Sequence, residues 1–193
     1  MEQKKIRIFV AIDLLSDITE GLKTLQNKLI NECPGKIAWV KPENIHLTLK
    51  FLGEIEEGRR EQIFLSLKEV TSKYSPFDVL IKGLGCFPRI ENPRVVWVGI
   101  ACEGDELFSL QKDVDTCLNK LGFPEDKRKY HAHLTLGRIK VLKERMRWKE
   151  IVGSFQDVEV GTLNVEKIVL FKSTLRPAGA VYTVLGEAFL RRL

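Results

Sequence analysis

The chain of 193 residues contains only three histidines, two methionines and four cysteines. No apolar run approaches the roughly 20 residues that a membrane-spanning helix requires, and no apolar signal segment follows the charged N-terminus. We therefore expect a cytoplasmic protein that does not bind membranes. The cysteines Cys33, Cys86, Cys102 and Cys117 form no C-x-x-C pair, and none lies beside a histidine at ligand spacing. This pattern favours reduced, buried thiols in a cytosolic protein.

The composition is that of a globular protein with one locally basic segment. Hydrophobic residues make up 44% and charged residues 30% of the chain, which is enough apolar material for a core without a metal or disulfide. The net charge is +5, but residues 127–149 alone hold nine bases and one acid, so the rest of the chain is acidic. A local basic surface is what an anionic ligand requires, although a charge run taken alone is more often a solvated loop.

The spacing of apolar residues predicts a mixture of short strands and amphipathic helices. Too few helices separate the strands for a regular parallel βαβ array. The pattern therefore favours an antiparallel-rich α+β fold. Helices are predicted from Ser16, after Gly58, and over 104–121 and 143–152. Strands are predicted over 6–14, 37–40, 45–52, 77–87, 95–100, 133–139, 158–160, 165–175 and 181–189.

The tetrapeptide His-Leu-Thr-Leu occurs twice, at 46–49 and at 133–136, and its copies begin with two of the three histidines. Each copy lies in a predicted strand and follows a strand, a helix and a proline-containing connection. Such self-similarity is typical of an internal duplication. We therefore predict that residues 1–193 form a single domain of two similar lobes.

Strand geometry gives the repeated motif a chemical meaning. Side chains two residues apart share a face, so His46 lies beside Thr48 and His133 beside Thr135, while the leucines enter the core. If the lobes pack around a pseudo-two-fold axis, two imidazoles and two hydroxyls meet across a cleft. An imidazole titrates near 6.5, so one histidine can donate a proton while the other accepts one. The threonine hydroxyls can hold the non-bridging phosphate oxygens.

Two other interpretations of the histidines compete with this one. Each motif alone could be an amphipathic strand with a surface histidine. His131 and His133 could also form a zinc site with His46. Against zinc, the first motif has Asn44 where the second has His131, and a metal gives no reason for the matched threonines. We therefore predict no metal and no cofactor.

Four segments of the chain, including both His-Leu-Thr-Leu motifs, resemble the sequence motifs of a known family. They are Arg7–Ile12; Trp39 with His46–Glu54; His133–Arg138; and Ser173, Leu175, Pro177, Gly179 and Tyr182 in a closing S-x-L-x-P-x-G-x-x-Y pattern. Together they resemble the two-histidine (2H) phosphoesterase superfamily, and within it the LigT-like family of 2′-5′ RNA ligases and RNA 2′,3′-cyclic phosphodiesterases. One departure is Ala132, where family members often have proline.

The resemblance implies two pseudo-symmetric lobes around a central cleft, each an antiparallel-rich sheet with helices on its outer face. It implies metal-independent hydrolysis of RNA 2′,3′-cyclic phosphate ends to 2′-phosphates, and it allows the reverse, ATP-independent 2′-5′ ligation. By the same resemblance His46 is the proton donor and His133 the proton acceptor. The partner is then an RNA or oligonucleotide with a cyclic phosphate end, and we expect the protein to act as a monomer.

Arg138 is a further candidate for phosphate binding, but its position in the strand is ambiguous. It has the opposite parity from His133 and Thr135, so it reaches the cleft only if the strand bulges, which Gly137 permits. The alternative, which fits the sequence equally well, is that Arg138 lies on the protein surface and does not bind the phosphate. Two other functions also fit the motifs: a 2H enzyme for 2′-5′ oligonucleotides, small cyclic nucleotides or a cyclic phosphate of ADP-ribose, and a non-catalytic RNA-binding module.

Overall fold

The computed structural model describes residues 4–177 and 179–191, without the side chain of Arg145. The ends of the predicted domain and the side chain of Arg145 in the basic segment therefore lie outside the described residues. Within them the chain forms nine strands and four α-helices. In chain order these are β1 (Lys5–Ile12), α1 (Ser16–Glu32), β2 (Gly35–Trp39), β3 (Leu47–Glu56), α2 (Arg60–Thr71), β4 (Phe77–Phe87), β5 (Val95–Ala101), α3 (Glu106–Lys120), β6 (His133–Leu142), α4 (Arg145–Ser154), β7 (Glu159–Val165), β8 (Lys167–Arg176) and β9 (Gly179–Phe189).

The strands form two separate sheets in which every pair is antiparallel, so the predicted α+β class is confirmed. The first sheet has the order β3-β1-β8-β9 and the second has the order β2-β6-β5-β4-β7. The two sheets do not correspond to the two halves of the chain. Strand β2 comes from the first half but pairs with β6, whereas β8 and β9 return from the C-terminal part to complete the first sheet.

The helices are also exchanged between the halves. Helix α1 packs against β7 of the second sheet, and α3 packs against β3 of the first. Helix α2 packs against α3 and also contacts β8 and β9 of the first sheet. Helix α4 packs against β4 of the second sheet. Each sheet is therefore covered by one helix from each half of the chain, which makes the two lobes parts of one core.

Helical periodicity explains how these helices attach. Four apolar side chains of α3 recur every three or four residues and are fully buried: Leu107, Leu110, Val114 and Leu118. A smaller cluster lies apart from the main core and contains Phe9, Ala11, Val169 and Phe171, with Tyr182 packed against it. Because β-strand side chains alternate, this cluster marks the face of the first sheet that the helices leave uncovered.

Two expectations need correction or qualification. Strand β3 begins at Leu47, so His46 lies immediately before the strand and not within it. The cysteines are free but only half-buried, and burial raises the pKa of the Cys33 and Cys86 thiols to about 12. Among the described residues, no helix is both long enough and apolar enough to cross a membrane.

Candidate active site

The two His-Leu-Thr-Leu motifs meet where β3 and β6 approach each other. Leu47, Leu49, Leu134 and Leu136 are buried, and the histidines and threonines of both motifs are only partly buried. Tyr130 connects the two segments, because its hydroxyl donates a 3.0 Å hydrogen bond to the carbonyl of Thr48. The motifs thus present their polar side chains at one junction between the two sheets.

The same hydrogen bond orients both histidines. Nδ1 of His46 lies 2.9 Å from the carbonyl oxygen of Asn44, and Nδ1 of His133 lies 2.6 Å from the carbonyl oxygen of His131. A carbonyl oxygen only accepts, so Nδ1 must carry a proton in each ring. Asn44 is itself fixed by a 3.1 Å hydrogen bond from its side chain to the carbonyl of Ala180. In both rings Nε2 is therefore left as the nitrogen available for proton transfer.

Aromatic side chains surround His46 on the first sheet. Its ring stacks on Phe9 with 4.6 Å between centroids and meets the edge of Tyr182 at 5.1 Å. Burial is the largest effect on this histidine and lowers its pKa, while the hydrogen bond to Asn44 and the charge of Asp13 act in the opposite direction. The aromatic surroundings and the negative charge of Asp13 thus act on the pKa of His46 in opposite directions.

His133 has a comparable aromatic environment but different charged neighbours. Phe87 meets its ring edge-on at 4.8 Å. Burial again has the largest effect and lowers the pKa of His133, and the hydrogen bond to His131 partly opposes it. The charges of the His131 ring and of Arg138 lower the pKa further. The two histidines thus differ in the sign of the charge beside them.

A bulge in β6 determines the direction of Arg138. Thr135 pairs with Trp97 and Arg138 pairs with Val95, with Leu136 as the extra residue. Paired residues share a face, and Trp97 and Val95 are two residues apart in β5, so Arg138 lies on the same face as Thr135. Burial raises the pKa of Tyr182, which belongs to the other sheet, and the charge of Arg138 partly opposes this rise. The parity argument against Arg138 therefore fails at the bulge.

Strand β3 contains the equivalent bulge. Thr48 pairs with Ala11 and Phe51 pairs with Phe9, with Leu49 as the extra residue. Phe51 therefore lies on the face of Thr48, three residues after it, as Arg138 follows Thr135. The two motifs have the same backbone but end in a different side chain, an aromatic ring in the first and a guanidinium group in the second.

Two glutamines support these bulges from the exchanged helices. The side-chain amide of Gln26 in α1 donates to the carbonyl of Leu136 at 2.9 Å. The amide of Gln111 in α3 donates to the carbonyl of Leu49 at 3.3 Å. In each case the accepting carbonyl belongs to the residue that is extra in its strand. At Leu136 the glutamine adds to a backbone bond, because the N–H of Val40 also donates to this carbonyl at 2.9 Å. The two glutamines therefore hold the bulges from the helix side.

His131 is exposed and packs against aromatic rings. Its centroid lies 4.8 Å from that of Trp97 and 5.2 Å from that of Phe87. Among residues 4–177 and 179–191, no group of three or more histidine, cysteine, aspartate or glutamate side chains could hold a metal ion. The three-histidine zinc site is therefore not formed by the described residues.

The sequence as a whole matches a known family twice. The model of the family described as "LigT like Phosphoesterase" matches residues 12–97 and again residues 98–182. The chain belongs to this family. The RNA 2′,3′-cyclic phosphodiesterase of Methanothermobacter thermautotrophicus is 38% identical over 180 residues, which are 93% of this chain and 96% of that protein. The protein of the same name from Aquifex aeolicus is 35% identical over 188 residues, which are 97% and 98% of the two chains.

Solved structures share the fold of this LigT-like phosphoesterase. The protein TT0787 of Thermus thermophilus superposes with a TM-score of 0.79 at 29% identity, over 96% of this chain and 98% of that one. E. coli LigT in complex with 3′-AMP gives a TM-score of 0.75 at 24% identity, over 98% and 100% of the two chains. The second likeness concerns the fold alone, and it extends over both lobes.

Sequence reasoning about this LigT-like phosphoesterase missed the residues around its motifs. Phe9 lies in the opening strand and Tyr182 in the closing pattern, but the sequence alone does not reveal their contacts with His46. Gln26 and Gln111 belong to none of the motifs. An alignment of the two halves would have shown a glutamine 20 residues before the first histidine and 22 before the second.

Proposed function

We propose that this chain hydrolyses RNA 2′,3′-cyclic phosphodiester ends to 2′-phosphomonoesters by two-histidine acid–base catalysis. The observation that carries the proposal is the matched pair of Nδ1 hydrogen bonds, 2.9 Å for His46 and 2.6 Å for His133, which leaves Nε2 of both rings free to transfer protons. The names of the relatives from M. thermautotrophicus and A. aeolicus support the same activity.

His46 is the proton donor and His133 the proton acceptor. Burial lowers the pKa of His46, and the hydrogen bond to Asn44 and the charge of Asp13 partly oppose this. Burial also lowers the pKa of His133, but there the neighbouring charges of His131 and Arg138 act in the same direction as burial. These opposite neighbours support the assignment, because an acid and a base of the same residue type must be distinguished by their surroundings.

The reaction then follows from the placement of the two rings. Nε2 of His133 takes a proton from a water molecule, whose oxygen attacks the phosphorus atom. The bond from phosphorus to the 3′-oxygen breaks, and Nε2–H of His46 protonates that oxygen. Thr48, Thr135 and Arg138 bind the non-bridging oxygens, where negative charge develops. When a 5′-hydroxyl replaces the water, His133 takes the proton of that hydroxyl and the same displacement joins two ends through a 2′-5′ linkage without ATP. The reverse of this joining step cleaves a 2′-5′ linkage and restores the cyclic phosphate.

The proposal also covers the domain organisation, the oligomeric state, the substrate and the cellular location of the protein. Residues 1–193 act as one monomeric, two-lobed domain that arose by duplication, and the two consecutive family matches and the exchanged helices support this. The substrate is an RNA or oligonucleotide with a 2′,3′-cyclic phosphate end, and no cofactor takes part. Four free thiols within the described chain support a reducing, cytoplasmic location.

An assay on RNA with a 2′,3′-cyclic phosphate end, with identification of the product isomer, tests the proposal. We expect a 2′-phosphate, unchanged turnover in EDTA, and kcat lower by about 10²–10⁴-fold in His46→Ala and in His133→Ala. His131→Ala is the control, because alanine keeps the carbonyl that orients His133. A 3′-phosphate product, zinc-dependent turnover, or wild-type rates in both variants would refute the proposal.

A further inference from the structure

Lys82 is an exposed lysine on the same face of the second sheet as His133. His133 pairs with Gly99 of β5, and Gly99 pairs in turn with Lys82 of β4. Because paired residues share a face, the backbone of Lys82 lies two strand spacings from His133, roughly 10 Å away. We propose that Lys82 binds the first phosphate of an RNA whose 5′-hydroxyl replaces the attacking water, which makes this face the acceptor subsite for 2′-5′ joining. This proposal rests on the function proposed above.

The direction of the displacement places the acceptor on the second sheet. In an in-line displacement the attacking and leaving oxygens lie on opposite sides of the phosphorus atom. His46 protonates the leaving 3′-oxygen, and His133 takes the proton of the attacking hydroxyl. The nucleoside that carries this hydroxyl therefore enters from the side of His133. The phosphate that follows it in the RNA lies one ribose further from the reacting phosphorus atom.

The sheet leaves room for that nucleoside between His133 and Lys82. Gly99 stands between them and has no side chain, and a Cβ atom there would lie 2.9 Å from the carbonyl oxygen of Lys82. A cavity of about 410 Å³ opens at this place, and its wall includes Gly99, His131 and Ala132. The space beside the proposed base is therefore open to a ribose, which a larger residue at position 99 would obstruct.

The charge of Lys82 is available to such a phosphate. Glu159 of β7 pairs with it across the strands, but within residues 4–177 and 179–191 the lysine side chain forms no ion pair. Asp157 and Glu159 also line the cavity, on the side of β7, which is the edge strand beyond β4. Their charges repel a phosphate from that edge. A phosphate therefore contacts Lys82 from the side of His133, one ribose away from the reacting atoms.

Arg138 binds a different phosphate. It lies on the same face as Lys82 but pairs with Val95 of β5 and not with Gly99, and its charge acts on Tyr182 of the first sheet. It therefore faces the reacting phosphate between the two sheets. Lys82 belongs to β4, which lies two strands from β6, the strand that approaches β3. The two cations thus hold successive phosphates, the reacting one and the next one along the acceptor.

Lys82→Gln tests the subsite with two acceptors that differ only in a phosphate. The acceptors are adenosine and adenosine 3′-phosphate, and the donor is a 5′-phosphorylated RNA with a 2′,3′-cyclic end, which has no 5′-hydroxyl of its own. The measurement is the initial ratio of 2′-5′-joined RNA to hydrolysed RNA. In Lys82→Gln we expect this ratio to fall by about 3-fold to 10-fold with adenosine 3′-phosphate, which loses one partly screened ionic contact. With adenosine it should change by less than about 2-fold, because no phosphate contact is removed there.

Two further variants control for the change. Lys82→Arg keeps a cation and should retain the preference for adenosine 3′-phosphate over adenosine. Lys112→Gln removes an exposed lysine of α3, a helix that packs against the first sheet, and should change neither ratio. Hydrolysis without any acceptor should stay at the wild-type rate in Lys82→Gln, because an attacking water carries no phosphate. Thermal unfolding of each variant checks that the fold is retained.

The outcomes separate this subsite from the proposed function. An equal fall with both acceptors, or no fall with adenosine 3′-phosphate, would overturn the subsite while hydrolysis by the wild type stands. Slower hydrolysis by Lys82→Gln without an acceptor would also overturn it, because Lys82 would then act on the reacting phosphate. A wild-type protein that hydrolyses the donor but joins neither acceptor would exclude the subsite as well. Failure of the wild type to hydrolyse the donor would overturn the proposed function, and the subsite with it.

Discussion

Gln26 in α1 and Leu136 in β6 are joined by a buried hydrogen bond of 2.9 Å across 110 residues of chain. The same amide donates to the carbonyl of Val40 at 2.8 Å, and only 4% of the glutamine is exposed. Because Leu136 is the extra residue of the β6 bulge, this bond fixes the backbone between Thr135 and Arg138. The helix of the first half thus positions a proposed phosphate ligand of the second.

Removing this bond should impair catalysis through Arg138. Gln26→Met keeps the volume but removes the side-chain donor to the carbonyl of Val40, and the carbonyl of Leu136 keeps only its 2.9 Å bond from the backbone N–H of Val40. Loss of a partner at a buried carbonyl costs about 1–3 kcal/mol. We expect the free energy of unfolding to fall and kcat/KM to fall with it. The decisive measurement is a double-mutant cycle with Arg138→Met: if Gln26 acts through Arg138, the two losses in kcat/KM are less than additive.

Gln111→Met is the matched control for this cycle. It removes the equivalent bond from the other bulge, 3.3 Å to the carbonyl of Leu49. We expect its effect on kcat/KM to add to that of Arg138→Met, because it supports the strand that carries Phe51. Full additivity of Gln26→Met with Arg138→Met would contradict a positioning role and leave Gln26 as a purely structural residue.

Lys50 should be important for stability and not for chemistry. It lies on the core side of β3 with 7% of its surface exposed, pairs with Asp115 of α3, and donates to the carbonyl of Pro124 at 2.8 Å. Lys50→Met leaves the carboxylate of Asp115 without its partner, and breaking a buried pair in this way costs about 3–5 kcal/mol. Urea unfolding should show this loss, and Lys50→Met combined with Asp115→Leu should recover most of it.

An exposed ion pair provides the comparison. Lys23 and Glu20 in α1 lie 3.3 Å apart, with 53% and 68% of their side chains exposed. Lys23→Met should change the free energy of unfolding by less than about 1 kcal/mol, because water and salt screen such a pair. If Lys23→Met and Lys50→Met lowered the free energy of unfolding equally, the ion pair of Lys50 with Asp115 would contribute no more stability than an exposed pair.

The pH dependence should reflect two histidines whose pKa values are lowered by burial. The base must be neutral, so kcat/KM falls as the pH drops through the pKa of His133. The acid must be protonated, so kcat/KM also falls as the pH rises through the pKa of His46. Both pKa values lie below 6.5, so we expect a bell-shaped profile with its maximum on the acidic side of pH 6.5.

Asp13→Asn distinguishes the two limbs of this profile. Asp13 raises the pKa of His46, so its neutralisation should lower that pKa and move the alkaline limb to lower pH. The acidic limb should move less, although both limbs belong to a coupled pair. Glu20→Gln, which neutralises an exposed carboxylate on α1, should change neither limb. A profile that is flat between about pH 5 and 9 would exclude acid–base catalysis by imidazoles.

Local patterns in the sequence were sufficient to predict most strands and helices. The apolar period of α3 and the alternation in β6 depend on neighbours within one segment, so Leu118 and Leu134 could be assigned to the core. The exchange of β2 into the second sheet depends on contacts between distant segments, which no local period encodes. The interleaving of the two halves therefore appeared only in the structure.

The candidate site also depends partly on local patterns and partly on contacts between distant segments. The repeated tetrapeptide identified His46, Thr48, His133 and Thr135 because strand alternation alone groups them. The bulges at Leu49 and Leu136 depend on the register of the partner strands β1 and β5. The face of Arg138 and the equivalence of Phe51 could not be inferred without them. The structure also gives a second reason for a glycine at position 137, because a Cβ atom there would lie 2.7 Å from the side chain of Ile37.

The roles of the two histidines can be assigned by the leaving group. 4-Nitrocatechol cyclic phosphate keeps the five-membered ring, but its leaving oxygen is a stable phenolate that needs little protonation. His46→Ala should therefore lose far less on this substrate than on a cyclic nucleotide, because only its proton is missing. His133→Ala should lose as much on both, because water must still be activated. His131→Ala should give the same ratio of rates as the wild type on the two substrates. Selective rescue of His133→Ala would reverse the roles and keep the two-histidine mechanism, whereas equal losses for both variants on both substrates would leave no proton donor among these residues.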